Sequence, residues 1–211
     1  MPTDCISFRD TAYASKLICD YVEKHPKLQS LYNRYPTLEN FKPQLNAKKA
    51  EFSITKREVL VSSLLKQYAE WIPSEPITSR ILSLAKENTF TVTTGHQLNL
   101  LGGPIYFLYK IITTINLAKE LKIKYPENNY IPIFWMASED HDFEEINHFN
   151  FQNKRFQWSK ITSGAVGLLD TSELVELINL FSKVLGKTAN ANNLLELFKN
   201  TYLNHSNLAN A

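Results

Sequence analysis

Two short segments of this 211-residue chain concentrate the side chains that can do chemistry. The first is Gly95-His96-Gln97-Leu98-Asn99-Leu100-Leu101-Gly102-Gly103-Pro104. The second is Ser138-Glu139-Asp140-His141-Asp142-Phe143-Glu144-Glu145-Ile146-Asn147-His148. Three of the five histidines fall within them. A glycine-bearing turn that feeds a helix offers free N–H groups and the positive end of a helix dipole, which suits a phosphate or a carboxylate. The turn matches neither a P-loop nor G-x-G-x-x-G, so by itself it leaves two readings. Either His96 and Gln97 flank an anion cradle, or the glycines only cap and turn while His96 fills a hydrogen-bonded niche. In the second segment Glu139, Asp140 and Asp142 surround His141. A carboxylate beside histidine orients the ring and raises its basicity. The same oxygens also suit a divalent cation. His141 and His148 lack H-E-x-x-H spacing, which disfavours a zinc protease. A solvated acidic loop is the ordinary alternative; the abrupt start of polar residues after an apolar run favours a site.

These segments need elements that bring them together. Thr89 to Thr94 is β-branched and aromatic and is bounded by Gly95, which predicts a strand. Gly103-Pro104 starts a helix, with proline at its first position. That helix runs from about Ile105 to Lys122, with Leu108, Ile111, Ile112, Ile115 and Leu121 expected in the core. Tyr130 to Ala137 is a nearly continuous apolar run, as in a strand covered on both faces, with Pro132 near its start. Strand, helix and strand make a βαβ unit. Both chemical segments then follow the carboxyl ends of parallel strands, the edge where open α/β sheets bind ligands. Lys110, two turns into the helix, either reaches an anion or is simply solvated, the commoner fate. Trp135 and the Tyr106/Tyr109 pair read as packing rather than as stacking platforms.

The first 88 residues read as helices. Tyr13, Leu17, Tyr21 and Val22 form one stripe, ended by His25-Pro26. Leu28 to Tyr35 is a short helix, and Pro43 precedes a longer one with Val61, Leu64, Leu65 and Tyr68 on one face. Pro73 and Pro76 close it, and Ile77, Ile81, Leu84 and Ala85 form a further stripe. These faces are expected to bury in their own domain. Beyond His148, Phe149, Phe151, Phe156 and Trp158 flank Gln152-Asn153-Lys154, a hairpin pattern. Asp170 to Glu173 resembles a capping box before the helix of Leu174, Leu177, Ile178 and Phe181. Asn190 to Asn193 reads as a loop, followed by a last helix through Leu194, Leu197, Phe198 and Tyr202. The expected division is a helical segment over 1–88 and a partial Rossmann-like core over 89–211, with a hairpin insertion after residue 148.

Composition excludes several classes. The chain is 44% hydrophobic and 12% aromatic, enough to bury a core, and its formal net charge of +2 gives no basic nucleic-acid footprint. Cys5 and Cys19 are too few for a Cys-rich zinc site or a disulfide scaffold, which makes a reducing cytoplasm the expectation. The start lacks a basic and apolar leader, and no stretch approaches the roughly 20 apolar residues of a membrane span. Neither nucleic acid nor membrane is therefore an expected partner.

Thr94-Gly95-His96-Gln97, Gly102-Gly103-Pro104-Ile105-Tyr106-Phe107-Leu108-Tyr109-Lys110 and Trp135 to His148 together resemble the bacillithiol biosynthesis cysteine-adding family, BshC. Asp20-Tyr21 within Tyr13 to Val22, and Gly164 to Gly167, extend the resemblance along essentially the whole chain. It implies a cytoplasmic bacterial ligase that adds cysteine to glucosaminyl-malate. It also implies a Rossmann-like α/β core with a coiled coil that serves homodimerisation. Members are more than twice this long, so the sheet and coiled coil are expected to be incomplete here, and a homodimer is not expected of this chain. The activating cofactor is left open, with ATP or another nucleotide the expectation. On this resemblance His96, His141 and Asp142 are the catalytic candidates. Gly95, Gln97, Asn99, Gly102, Gly103, Lys110, Glu139, Asp140, Asn147 and His148 are the candidates for binding substrate or nucleotide, and no metal ligands are expected. Two further readings are a metal-dependent hydrolase using Glu139 to His148, and an inactive truncated remnant.

Overall fold

A computed structural model describes residues 4–69 and 74–211, so Pro73 and the first three residues of the amino-terminal start lie outside the described residues. The elements run α1 (Lys16–Val22), a 3-10 turn (Pro26–Leu31), α2 (Leu38–Glu51), α3 (Ile54–Tyr68), α4 (Glu75–Ser83), β1 (Thr89–Gln97), α5 (Ile105–Lys124) and β2 (Asn129–Ala137). They continue with α6 (Phe143–Ile146), β3 (His148–Phe151), β4 (Lys154–Gln157), α7 (Leu174–Leu185) and α8 (Ala189–Tyr202). The fold is mixed α/β, with β1 and β2 in a parallel two-stranded sheet and β3 and β4 in an antiparallel one. The chain divides into two compact units, Met1–Phe90 with Leu121–Asn129, and Thr91–Glu120 with Tyr130–Ala211.

In the first unit the helices begin where hydroxyl caps allow it. Ser15, Thr37 and Ser53 accept from backbone N–H groups of the first turns of α1, α2 and α3. Several boundaries differ from expectation. Tyr13 lies outside α1 and is fully exposed, and Leu17 and Val22 are exposed too, because the short helix buries Cys19 and Asp20 instead. Arg9 and Lys16 hold the Asp20 carboxylate. Pro43 does not precede α2 but sits inside it, which removes one i→i−4 bond from a helix that still has its Thr37 cap. Pro76 opens α4 rather than closing α3, since a first-turn proline gives up no intrahelical bond. Arg57, on α3, is 4% exposed, and among the described residues it has no carboxylate partner. Its guanidinium donates to the carbonyls of Leu84 (2.9 Å), Thr89 (3.0 Å) and Glu87 (3.3 Å), the acceptors left at the end of α4 and the start of β1.

The second unit has its tightest core in its carboxyl-terminal half. Leu100, Ile146, Trp158, Val166, Leu174 and Ile178 lie at its centre. The expected hairpin is present, and Gln152 and Asn153 both adopt positive φ (48° and 60°), the two-residue turn that matches strand twist. Phe149 and Phe156 are cross-strand partners and stack at 5.1 Å, with Phe181 of α7 edge-on to both. No capping box forms before α7. Asp170 lies three residues ahead of the cap residue, Glu173, and accepts instead from the Ser172 N–H in a local turn. Asn190 to Asn193 are helical, not a loop, because Thr188 caps α8 and Ala191 is buried.

The βαβ order is as expected, but the burial is not. Pro104 sits one residue ahead of α5. Leu108, Ile112 and Ile115 are exposed and Ile111 is half-buried, while Thr114, Ala118 and Leu121 form the buried stripe. A helix beside two strands has only a narrow surface to bury on. For the same reason Tyr130 and Ile131 of β2 are buried, while Trp135 and Met136 at its other end are exposed. Trp135, Tyr106 and Tyr109 therefore do not serve as packing residues here. Among the described residues no helix is long and apolar enough to cross a membrane.

The Arg57 cluster gives a stability prediction. Arg57→Met keeps the aliphatic stem but leaves three carbonyls short of their donors, and should destabilise the first unit by about 2–4 kcal/mol. Urea unfolding followed through that unit's tyrosines measures it; a change below ~0.5 kcal/mol would show that water replaces the guanidinium without loss.

Candidate functional site

Gly95 is not a turn residue. β1 runs on to Gln97, and a Cβ on Gly95 would lie 3.0 Å from the Trp135 carbonyl oxygen, so glycine lets the two strands approach. The turn comes later, at Leu101, Gly102 and Gly103, all with positive φ (51°, 90° and 61°). Leu101 has a side chain in this strained region, and its placement is stabilised from a distance. Its N–H donates to the Tyr202 hydroxyl of α8 (2.9 Å), which in turn donates to the Asn99 carbonyl (3.2 Å). Tyr202 is buried, and burial pushes its phenol up from the ordinary value. Leu100 anchors the same turn in the second unit's core. A Cβ on Gly103 would meet the Asn99 side chain at 2.7 Å, whereas Gly102 faces open space.

At the end of β2 the chain is fixed by backbone. Val166 N–H donates to the Asp140 carbonyl (2.7 Å) and Gly167 N–H to the Ser138 carbonyl (2.9 Å). A Cβ on Gly167 would come within 2.6 Å of the Ser138 Cβ, so this approach requires glycine. Asp140 Oδ1 accepts from the Asp142 N–H (3.0 Å), and Asp142 Oδ1 caps α6 by accepting from the Glu145 N–H (3.1 Å).

The two segments meet through one carboxamide. Gln97 Nε2 donates to Asp140 Oδ2 and to Glu145 Oε2, both at 2.8 Å. The Asp142 N–H first, and the Gln97 amide second, hold the Asp140 carboxyl below its ordinary value of 3.8. Close by, His96 Nδ1 lies 3.0 Å from Asn99 Nδ2, and His96 Nε2 lies 3.0 Å from the Tyr106 hydroxyl. Lys110 Nζ donates to the Gly95 carbonyl (3.1 Å) and is exposed, so it leaves a positive charge beside the end of β1. The segment from Glu139 to Glu145 is acidic and largely exposed. One end of the strand edge is thus cationic and the other anionic.

Of the expected site residues, His96, Gln97, Asn99, Asp140 and Lys110 share this hydrogen-bonded edge. Glu139, His141 and Asp142 line its exposed acidic side. Asn147 is buried, and its Oδ1 lies 3.2 Å from His148 Nδ1, so this pair faces inward. Tyr106, Glu145, Gly167 and Tyr202 escaped the sequence reading. Glu145 could have been found from its i+3 place after Asp142; Tyr202, about a hundred residues from its partners, carries no local signal. Among the described residues no three His, Cys, Asp or Glu side chains are grouped to hold a metal ion. Nothing in this geometry supports the metal-dependent hydrolase reading: Asp140 and Glu145 accept from Gln97, and Asp142 from a backbone N–H.

The model of the bacillithiol biosynthesis BshC N-terminal Rossmann-like domain matches residues 1–211. The chain is 55% identical over 211 residues to a Flavobacterium johnsoniae protein, and 54% identical over 212 to one from Flavobacterium psychrophilum. A Christiangramia forsetii protein is 49% identical over 215. All three bear the name "Putative cysteine ligase BshC". Each match covers 100% of this chain but 40% of the relative, so the chain spans less than half the length of these proteins.

Two predictions follow from the geometry of the edge. Asp140 has a folded value below the unfolded one, so its contribution to stability is present above about pH 4 and disappears as pH falls through the depressed value. Gln97→Leu removes one of the two main causes, and the Asp140 carboxyl carbon, titrated by NMR, should then have its midpoint nearer 3.8 than in the parent chain. An unchanged midpoint would show that Gln97 does not hold this carboxylate. Gly167→Ala should cost about 2–4 kcal/mol, since its neighbour is backbone that cannot turn aside. Thermal unfolding indistinguishable from the parent would contradict the close approach.

Proposed function

Because this chain belongs to the BshC family, as its N-terminal Rossmann-like domain, we propose that it supplies part of the active site of a cytoplasmic ligase that joins cysteine to glucosaminyl-malate. The observation that carries this reading is the Gln97 bridge. It ties the carboxyl end of β1, where Lys110 brings a positive charge, to the acidic loop that follows the parallel strand β2. Amide formation needs this polarity: a carboxylate must meet an amine that arrives as an ammonium ion.

The division of labour follows from the contacts. Gly102 and Gly103, with the first-turn N–H groups of α5 and with Lys110, receive the anionic portion. The open space at Gly102 and the positive φ of both glycines fit a phosphate-bearing group there. An activating nucleotide bound at that turn would convert the poor carboxylate electrophile into an acyl group with a good leaving group. Asp140 and Glu145, held ionised or oriented by Gln97, draw the ammonium to the other side. Its proton must be lost before the nitrogen attacks. His141 is the group best suited to take it, because its ring is exposed and makes no hydrogen bond among the described residues, whereas Asp142 already uses Oδ1 as a helix cap. Homodimerisation belongs to the longer protein.

A chimaera tests the reading. Residues 1–211 replace the matching 40% of the Flavobacterium johnsoniae relative, and the product is expressed in a bacterium lacking its cysteine ligase. The chimaera should restore bacillithiol, and residues 1–211 alone should not. His141→Ala in the chimaera should lower the rate of cysteine addition by roughly 10²-fold. Full activity in that variant would remove His141 from the role of base. Failure of the unsubstituted chimaera, though folded, would count against the ligase reading.

A further inference from the structure

The geometry points to a further role, beyond anything the family match supplies, for the segment from Tyr202 to Ala209: it sets the separation between the glycine turn and the acidic loop, and its residues are positioning residues for both ends of the site. This rests on the ligase reading above. The first end is held by Tyr202, the last residue of α8. Its hydroxyl accepts from the Leu101 N–H (2.9 Å) and donates to the Asn99 carbonyl (3.2 Å). The second end is held a few residues later, through backbone alone. Ala209 N–H donates to the Gly167 carbonyl (2.9 Å), and Gly167 N–H donates to the Ser138 carbonyl (2.9 Å). Beside this link, Leu208 N–H donates to the Leu169 carbonyl (2.9 Å), and Val166 N–H to the Asp140 carbonyl (2.7 Å). Three pieces of chain thus lie side by side, and the acidic loop is the third.

Burial fixes the segment that does this. Leu208 is 4% exposed and packs in the same core as Tyr202. Thr171, wholly buried ahead of α7, donates its hydroxyl to the His205 carbonyl (2.9 Å). Asn207 closes the turn that follows, its side chain accepting from the Asn210 N–H (2.9 Å). Within the segment only residues 204–206 are exposed. A short length of chain anchored at both ends has a fixed span. The Gln97 side chain ties β1 to the acidic loop. The turn beyond β1 is tied to the same loop through Tyr202 to Ala209. When a carboxylate held at one end must join an amine held at the other, this span helps to set the distance over which the bond forms. A displacement of about 1 Å then costs up to roughly 10²-fold in rate.

Two experiments test this. In the 211-residue chain, Leu208→Ala should speed hydrogen exchange of the Val166 and Gly167 amides about tenfold, while the Trp158 amide, bonded to the Asn147 carbonyl in the same unit, stays within about twofold. Equal acceleration of all three amides is ordinary loss of packing and overturns the positioning role. So do Val166 and Gly167 amides that exchange as in the parent chain. In the chimaera, two glycines inserted between Leu203 and Asn204 keep every anchor and lengthen the span. The insertion should lower kcat about tenfold, with KM for cysteine and for glucosaminyl-malate each within about twofold. A kcat within about twofold of the unsubstituted chimaera overturns the proposal, and so does a rise in both KM values without a fall in kcat. An inactive unsubstituted chimaera overturns the ligase reading and the consequence for rate with it, while the exchange rates still decide whether this segment holds the loop.

Discussion

The site depends on a single neutral carboxamide. Gln97 reaches from the end of one strand to two carboxylates that follow the next, and it has two protons with which to do so. A lysine or arginine there would tie the same groups but would neutralise them. A glutamate would repel them. The amide orients both carboxylates without bringing a charge of its own to cancel theirs. Gly95 makes the reach feasible, since any side chain there would press on the Trp135 backbone and push the strands apart.

The second unit stabilises this edge from behind. Its densest packing lies around the aromatic hairpin and α7, and from there two backbone links, Val166 to Asp140 and Gly167 to Ser138, hold the acidic loop. Leu100 and Tyr202 hold the glycine turn in the same way. A strained turn with Leu101 at positive φ persists only where its surroundings over-determine it. Here a buried phenol supplies both an acceptor and a donor. The functional edge is thus built on loops, yet each loop is tied to rigid structure by bonds that cross many residues of sequence.

This separation explains what could be read beforehand. The strand, helix and apolar strand were legible because β-branched runs and a helical period are local properties of the chain. The meeting of the two polar segments followed from topology alone. Gly95 was misread because a glycine signals either a turn or a close approach, and only the neighbouring strand decides which. The exposed face of α5 was misread for a related reason. Leu108, Ile112 and Ile115 reveal an apolar stripe but not what covers it, and the positions of α5 that are buried are Thr114, Ala118 and Leu121 instead. Asn190 to Asn193 have loop-like composition, but the Thr188 cap and a buried Ala191 override it. The Tyr202 contacts were beyond reach, because nothing near residue 202 or residue 101 announces the other.

The same reasoning bears on which histidine does what. Sequence placed His96 and His141 on equal terms, since each sits in a polar loop at a strand end. Their surroundings separate them. His96 is enclosed by Asn99, the Gln97 carbonyl, Tyr106 and Phe107, so both ring nitrogens have partners. His141 stands exposed in the acidic loop, and its ring makes no hydrogen bond among the described residues. The two rings, alike in chemistry, are therefore divided by packing: one is bound into a hydrogen-bonded cluster and the other meets solvent.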